Sequence, residues 1–297
     1  MYILSIFLGA IIPIILLYVK FLMDTKIHTS KDIEKIINSV PLLSSIPLLK
    51  NANDDSMEHD RSIIKESFRT LLTNLSFITP KTNSGLGKTL LVTSSIKGEG
   101  KTLVSYNLAV ETSNHAERVI LIGADLRNPQ LHRYLKLTNT NNGLSSYLHN
   151  KNLFIKDLQI LEDKSVGNLD ILLAGSIPPN PTSLFSNGRF EELIAELRKK
   201  YDYIIIDSAP TLLVSDTLIF SKVADTTIYV ARSKHTEKQV VEYSKKLVED
   251  AKLNNVGYVL NGVDTSTYGY GYNYEYAYTY GYTYDDNDEG QKKWYQF

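Results

Sequence analysis

Lys101 and Thr102 close the run Ser95-Ile96-Lys97-Gly98-Glu99-Gly100-Lys101-Thr102, in which small residues and two glycines precede a lysine and a hydroxyl. That pattern suits the binding of a phosphate anion. Glycines let consecutive backbone N–H groups turn inward around the oxygens, and a helix starting near the lysine aims its positive end at them. Lys101 would reach the β- and γ-phosphates of a nucleotide, and the Thr102 hydroxyl would take a Mg²⁺ ion. Ser95, Lys97, Gly98, Glu99 and Gly100 complete the candidate loop. The spacing fits G-x-x-x-x-G-K-[ST] except at the first place, where Ser95 replaces glycine.

A phosphate loop needs a buried strand to deliver it and a helix to receive it. Leu90-Leu91-Val92-Thr93-Ser94 supplies the apolar run before the loop, and Leu103 to Thr112 carries an apolar pattern at helical spacing after it. The neighbouring run Gly85-Leu86-Gly87-Lys88-Thr89 also contains Gly-Lys-Thr, but it leads into the strand instead of out of it. It therefore reads as a linker turn. Further on, strands are expected at Val119–Ile122, Leu169–Leu173, Tyr203–Ile206, Thr226–Ala231 and Val256–Leu260, with helices between them. This alternation predicts an α/β fold, a mostly parallel sheet covered by helices on both faces.

Ligands of such sheets sit beyond the carboxyl ends of the strands, so the polar residues there are the ones to weigh. Asp207 directly follows Tyr203-Ile204-Ile205-Ile206 and has the place and chemistry of a Walker-B aspartate, a holder of Mg²⁺. A helix cap or turn aspartate is the plainer alternative. Asp125 and Arg127 follow Val119–Ile122 in Gly123-Ala124-Asp125-Leu126-Arg127, where Asp125 could be a turn former or an active-site carboxylate. Asn261 follows Val259-Leu260 and is a third candidate for the nucleotide site.

The 297 residues hold 32 basic and 33 acidic side chains, so no overall charge argues for nucleic acid as a partner. With no cysteine, disulfides, thiolate metal sites and a Cys nucleophile are excluded, and six scattered histidines make no zinc pattern. Residues 2–22 are apolar enough to cross a bilayer as one helix, and Lys20 near its end with Lys26, Lys31 and Lys35 beyond it lie on the side expected to face the cytoplasm. A buried core helix is the alternative for this stretch, and a span beginning at Met1 suggests a protein longer at its N-terminus. The organisation read from these patterns is a transmembrane helix at 1–23, a juxtamembrane linker at 24–60, a catalytic domain at 61–264 and a Tyr-rich tail at 265–297. Within the linker a short helix is expected near Ser30–Asn38, and Asn51–Asp60 is expected to be mobile. An amphipathic helix is expected from Ile63 to Phe77, with Glu66 and Arg69 paired on it.

Thr93–Thr102, Asp125-Leu126-Arg127, Gly143-Leu144-Ser145-Ser146-Tyr147-Leu148, Gly175-Ser176-Ile177-Pro178-Pro179-Asn180-Pro181 and Asp207-Ser208-Ala209-Pro210 together resemble the cytoplasmic domain of the bacterial tyrosine kinases. These are P-loop autokinases attached to polysaccharide co-polymerases. The resemblance runs from about Pro41 to Asp264 and implies a P-loop NTPase fold with ATP and Mg²⁺ as cofactors. It places Lys101 on the transferring phosphate, Thr102, Asp207 and Asp125 near the metal, and Asp125 and Arg127 at the catalytic centre. It also implies a ring-shaped homo-oligomer, the polysaccharide export machinery and an opposing protein-tyrosine phosphatase as partners, and a bacterial inner-membrane location.

Three positions depart from related patterns. The family's Asp-x-Asp has Gly123 in its first place, so Asp125 would act alone as base, or transfer would be slow or absent. The Glu-x-x-Arg-x-x-Arg motif that packs subunits ends on Leu72, leaving Glu66 and Arg69 as the candidate oligomer contacts. Partition ATPases of the same branch carry an extra lysine at the place of Ile96, which turns the reading away from them.

Tyr268, Tyr270, Tyr272, Tyr274, Tyr276, Tyr278, Tyr280, Tyr282 and Tyr284 alternate with small and polar residues. With nothing apolar opposite and an acidic run from Asp285, a flexible segment is expected rather than a strand. The tyrosines read as phosphoacceptors beside a kinase, as a self-associating or carbohydrate-stacking segment, or as a plain tail. Two further functional classes stay open: an ATP-binding membrane scaffold, and a partition-type ATPase.

Overall fold

Val119-Ile120-Leu121-Ile122 and Ile204-Ile205-Ile206 have no polar side, so each must be covered on both faces, and each is an interior strand with every one of these residues buried. The computed structural model describes residues 24–38, 40–48, 54–81, 85–116, 118–135, 142–163, 168–213 and 216–264, with helical residues at 11–13, 15 and 18. Its strands are β1 (Leu42–Pro47), β2 (Lys88–Ser94), β3 (Val119–Gly123), β4 (Ile160–Glu162), β5 (Leu169–Leu172), β6 (Tyr203–Asp207), β7 (Thr226–Arg232) and β8 (Val256–Val263). They form one sheet in the order β1-β8-β7-β2-β6-β3-β5-β4. Every pairing is parallel except β4 with β5.

The helices are α1 (Ser30–Ile37), α2 (Asp54–Ile78), α3 (Lys101–Ser113), α4 (Leu131–Tyr134), α5 (Leu144–His149), α6 (Pro181–Phe185), α7 (Arg189–Leu197), α8 (Asp216–Ser221) and α9 (Lys238–Glu249). Two apolar cores result, one on each face of the sheet. On one face Phe68, Leu71 and Leu75 of α2 and Val104 and Leu108 of α3 pack on β2, β3 and β6. On the other, Phe185, Phe190 and Phe220 meet ring to ring, with Phe185 and Phe220 edge-on at 4.6 Å between centroids. The central strand β2, flanked by β6 and β7, points its loop at the middle of the carboxyl edge. There the chain reverses its direction of winding, which opens a crevice.

Two expectations are corrected. The Pro-bounded piece Pro41–Leu49, read as part of a connector, contributes edge strand β1, which pairs with β8. An edge is the place where Pro47 costs no ladder bond. Helix α2 begins at Asp54 rather than Ile63 and so takes in most of the acidic stretch expected to be mobile. Strand β4 is short and antiparallel, and no alternation in Ile160-Leu161-Glu162 foretold it. The short helix after Thr29 does form, closed by a capping box of Thr29 and Asp32.

The candidate span at 2–22 lies outside the described residues apart from 11–13, 15 and 18, and the tyrosines of 268–284 lie outside them entirely. Among the described residues, no helix is long and apolar enough to cross a membrane.

Candidate active site

The phosphate loop leaves β2 at Ser94 and enters α3 at Lys101. Gly98 and Gly100 both take left-handed backbone angles, φ 90° and 99°, that side chains other than glycine rarely adopt. At Gly100 there is also no room: a Cβ would stand 2.0 Å from the Asn261 amide nitrogen. The decoy run behaves differently. Gly87 sits where a Cβ would be 1.9 Å from the Tyr201 carbonyl oxygen, so its glycine serves a close backbone approach at the start of β2.

Four groups behind the loop hold it in shape. The Asn261 amide donates to the Glu99 carbonyl at 2.9 Å, Arg232 Nη1 donates to the Gly98 carbonyl at 2.9 Å, and His235 Nε2 lies 3.0 Å from the Lys97 carbonyl oxygen. The fourth is internal. The buried Glu99 carboxylate accepts from the Ile96 N–H at 2.7 Å and from the Thr236 hydroxyl at 2.5 Å. Burial pushes the Glu99 carboxyl above its ordinary range, against the pull of those donors. Glu99 and Asn261 were candidates for nucleotide contact, and their side chains are spent on the loop itself. The Ser95 hydroxyl likewise lies inside, 2.8 Å from the Tyr229 hydroxyl. Arg232, His235 and Thr236 escape sequence reasoning, because they lie more than 130 residues from the loop and form no motif with it.

Asp207 ends β6 beside β2 and is 2% exposed. Its carboxylate accepts from Ser105 at 3.1 Å. Burial pushes the Asp207 carboxyl up to about 6, the Lys101 ammonium and the Thr102 and Ser105 hydroxyls hold it down, and the nearby Asp125 carboxylate pushes it higher. Asp207 thus has Lys101, Thr102 and Asp125 as neighbours, although the four come from three separate strand ends.

Asp125 acts as a turn former, the first of its two sequence readings. Its Oδ1 accepts from the N–H groups of Arg127 and Asn128 at 3.2 and 3.0 Å, shaping the turn after β3. It also lines a cavity of about 660 Å³ with Lys97, Gly98, Gly100, Lys101, Thr102 and Arg127. Arg133 and Tyr134 of α4 and Leu213 close the cavity on its other sides. Burial, and next the Asp207 charge, raise the Tyr134 hydroxyl above the usual range. Arg127 lines the cavity while bound to Asp216 and Thr182. Gly123 has no left-handed angle, and a Cβ there would meet nothing closer than 3.4 Å. Glu66 and Arg69 do not belong to this site. They form an exposed pair 3.7 Å apart on α2.

A mostly parallel sheet, a glycine loop feeding a helix at Lys101 and a buried aspartate on the adjacent strand define a P-loop NTPase-like fold. The AAA domain family matches residues 87–252. The chain is 36% identical over 213 residues to the tyrosine-protein kinase YwqD of Bacillus subtilis, a match covering 72% of this chain and 87% of that one. It is 33% identical over 289 residues to a Klebsiella pneumoniae protein whose name places it in a cps region, covering 89% of this chain but 38% of that one. The chain therefore spans well under half the length of some curated relatives it matches. Its structure superposes on the kinase domain of the Escherichia coli tyrosine kinase ETK with a TM-score of 0.69 and 26% identity, covering 87% of this chain and all of that one. The chain belongs to the bacterial tyrosine-protein kinases.

Proposed function

We propose that this chain is an ATP-dependent protein-tyrosine autokinase that phosphorylates its own C-terminal tyrosines, one copy acting on another, in the control of capsular or extracellular polysaccharide polymerisation and export. The observation that carries the reading is that Lys101, Thr102 and Asp125 line one cavity at the loop, with the buried Asp207 carboxylate close to all three. Lys101 would spread the charge that builds on the γ-phosphoryl group, and the loop N–H groups, held by Asn261 and Glu99, would fix the phosphates in line. The tyrosine oxygen would bond to the γ-phosphorus as the bond to the β-phosphate oxygen breaks and ADP leaves. The hydroxyl proton would pass to Asp125.

The oxygens of Thr102 and Asp207 suit a hard cation such as Mg²⁺, and a buried carboxyl pushed up to about 6 is one that a nearby cation would stabilise as an anion. Bound there with nucleotide, Mg²⁺ would neutralise phosphate charge. Tyr268 to Tyr284 would supply nine acceptors to a neighbouring copy. Residues 2–22 would anchor the chain in the bacterial cytoplasmic membrane, and Glu66 and Arg69 would contribute to ring assembly. An opposing phosphatase would reset the tail.

Gly123 favours one alternative, an ATP-binding scaffold with weak transfer, since the family's first carboxylate is missing there. The test is to incubate the full chain in detergent with Mg²⁺-ATP and follow both phosphotyrosine and released phosphate. Phosphotyrosine is expected. Nucleotide binding with neither product would select the scaffold, and phosphate without phosphotyrosine would select a partition-type ATPase.

A further inference from the structure

Asp216 opens α8 with its side chain 3% exposed, an expensive place for a carboxylate. Its Oδ2 accepts from Arg127 Nε at 3.3 Å and from Nη2 at 3.2 Å. Its Oδ1 is buried and has no hydrogen-bond partner among the described residues. Arg127 Nη2 also donates to Thr182 of α6 at 2.7 Å. Two of the three guanidinium nitrogens are thereby fixed to the protein. Among the described residues Nη1 carries no hydrogen bond, on a side chain that lines the cavity beside Asp125 and Lys101. A carboxylate that only stapled two loops together would use both oxygens in the two-pronged fork that arginine prefers. Here one oxygen holds the guanidinium sideways, and among the described residues the other finds no hydrogen bond to offset its desolvation.

We propose that Asp216 is the positioning residue for Arg127, with Thr182 as its second support, holding the guanidinium rigid so that Nη1 is presented to the phosphoryl group in flight. The inference rests on the kinase reading and adds to it a residue whose only route to the reaction is Arg127. Preorganisation of a charged donor counts toward the transition state more than toward the bound substrate. Loss of Asp216 should therefore lower kcat and leave the KM for ATP nearly unchanged.

The experiment is a double-mutant cycle on the full chain, Asp216→Asn and Arg127→Met, reading initial rates of phosphotyrosine formation and of phosphate release at varied ATP. Asp216→Asn alone is expected to reduce kcat about tenfold with KM for ATP within about twofold. Added to Arg127→Met it should have no further effect. Thr182→Val, which leaves the buried residue untouched, should give a smaller loss, about threefold, that is likewise silent on the Arg127→Met background. Equal losses from Asp216→Asn on both backgrounds would show a merely structural role and overturn the proposal, as would a full rate from Arg127→Met. If the unmodified chain releases phosphate but makes no phosphotyrosine, the kinase reading fails, and the same cycle read on phosphate release still decides the role of Asp216.

Discussion

Ser105 shares its hydroxyl between the Lys101 carbonyl, at 2.8 Å, and Asp207 Oδ1, at 3.1 Å, so the first turn of α3 is tied to the buried aspartate one strand away. The helix that presents Lys101 and the carboxylate that would face the metal are thereby set as one unit. Replacing Ser105 with Ala would leave Asp207 more weakly held, in a site where an unpaired carboxylate is costly.

That cost sets a pH dependence. The folded-state value of Asp207, about 6, lies above its ordinary 3.8, so the native chain binds this proton more tightly than the unfolded chain. Stability from this group is present in full below about pH 3.8 and is lost as pH rises through about 6, with about 3 kcal/mol at stake. Asp207→Asn carries no charge to bury. Without nucleotide it is expected to melt above the unmodified chain at pH 7.5, by a margin that narrows as pH falls through 6. Differential scanning calorimetry at several pH values checks this, and a margin independent of pH would contradict it.

Asn261 braces the loop through one hydrogen bond to the Glu99 carbonyl. Asn261→Ala is expected to weaken ADP binding about fivefold, about 1 kcal/mol, without lowering the melting temperature by more than a few degrees. Titration calorimetry gives the affinity. Unchanged affinity would show that the loop keeps its shape without this bond.

Gly123 can accept a side chain, since its backbone is not left-handed and its nearest neighbours stand 3.4 Å from an ideal Cβ. Gly123→Asp restores the second carboxylate of the family pattern beside Asp125. Tyrosine phosphorylation is expected to run about threefold faster or more, as an added general base allows. A slower variant would mean that Asp125 alone is the better arrangement here, with the extra charge repelling its neighbours.

The pair of Glu66 and Arg69 is exposed and 3.7 Å apart, and a pair of that kind contributes little to folding. Arg69→Glu should leave the melting temperature of the chain unchanged and shift its mass by light scattering from assembly toward monomer. Assembly that survives the substitution would remove these residues from the contact.

What the sequence made legible was local. The loop, the strand before it and the helix after it read directly, because Leu90 to Thr102 holds all three in one run. Asp207 and Asp125 were legible because each follows a strand with no polar face. The connector was misread, since Leu42-Leu43-Ser44-Ser45-Ile46-Pro47 becomes a strand only when β8 offers its edge. The loop's supports were illegible for the same reason. Thr236 meets Glu99 across 137 residues, and Arg127 meets Asp216 across 89, pairings that only the closed sheet creates.

The central claim is that Lys101 drives phosphoryl transfer to the tail tyrosines. Its most direct test is to incubate the full chain with Mg²⁺-ATP, map phosphotyrosine by mass spectrometry, and repeat with Lys101→Met. Phosphotyrosine confined mainly to Tyr268 through Tyr284, and lost at least a hundredfold in Lys101→Met, is the expected result. Phosphotyrosine that persists in Lys101→Met, or none at all from a chain shown to bind ATP, would contradict the account.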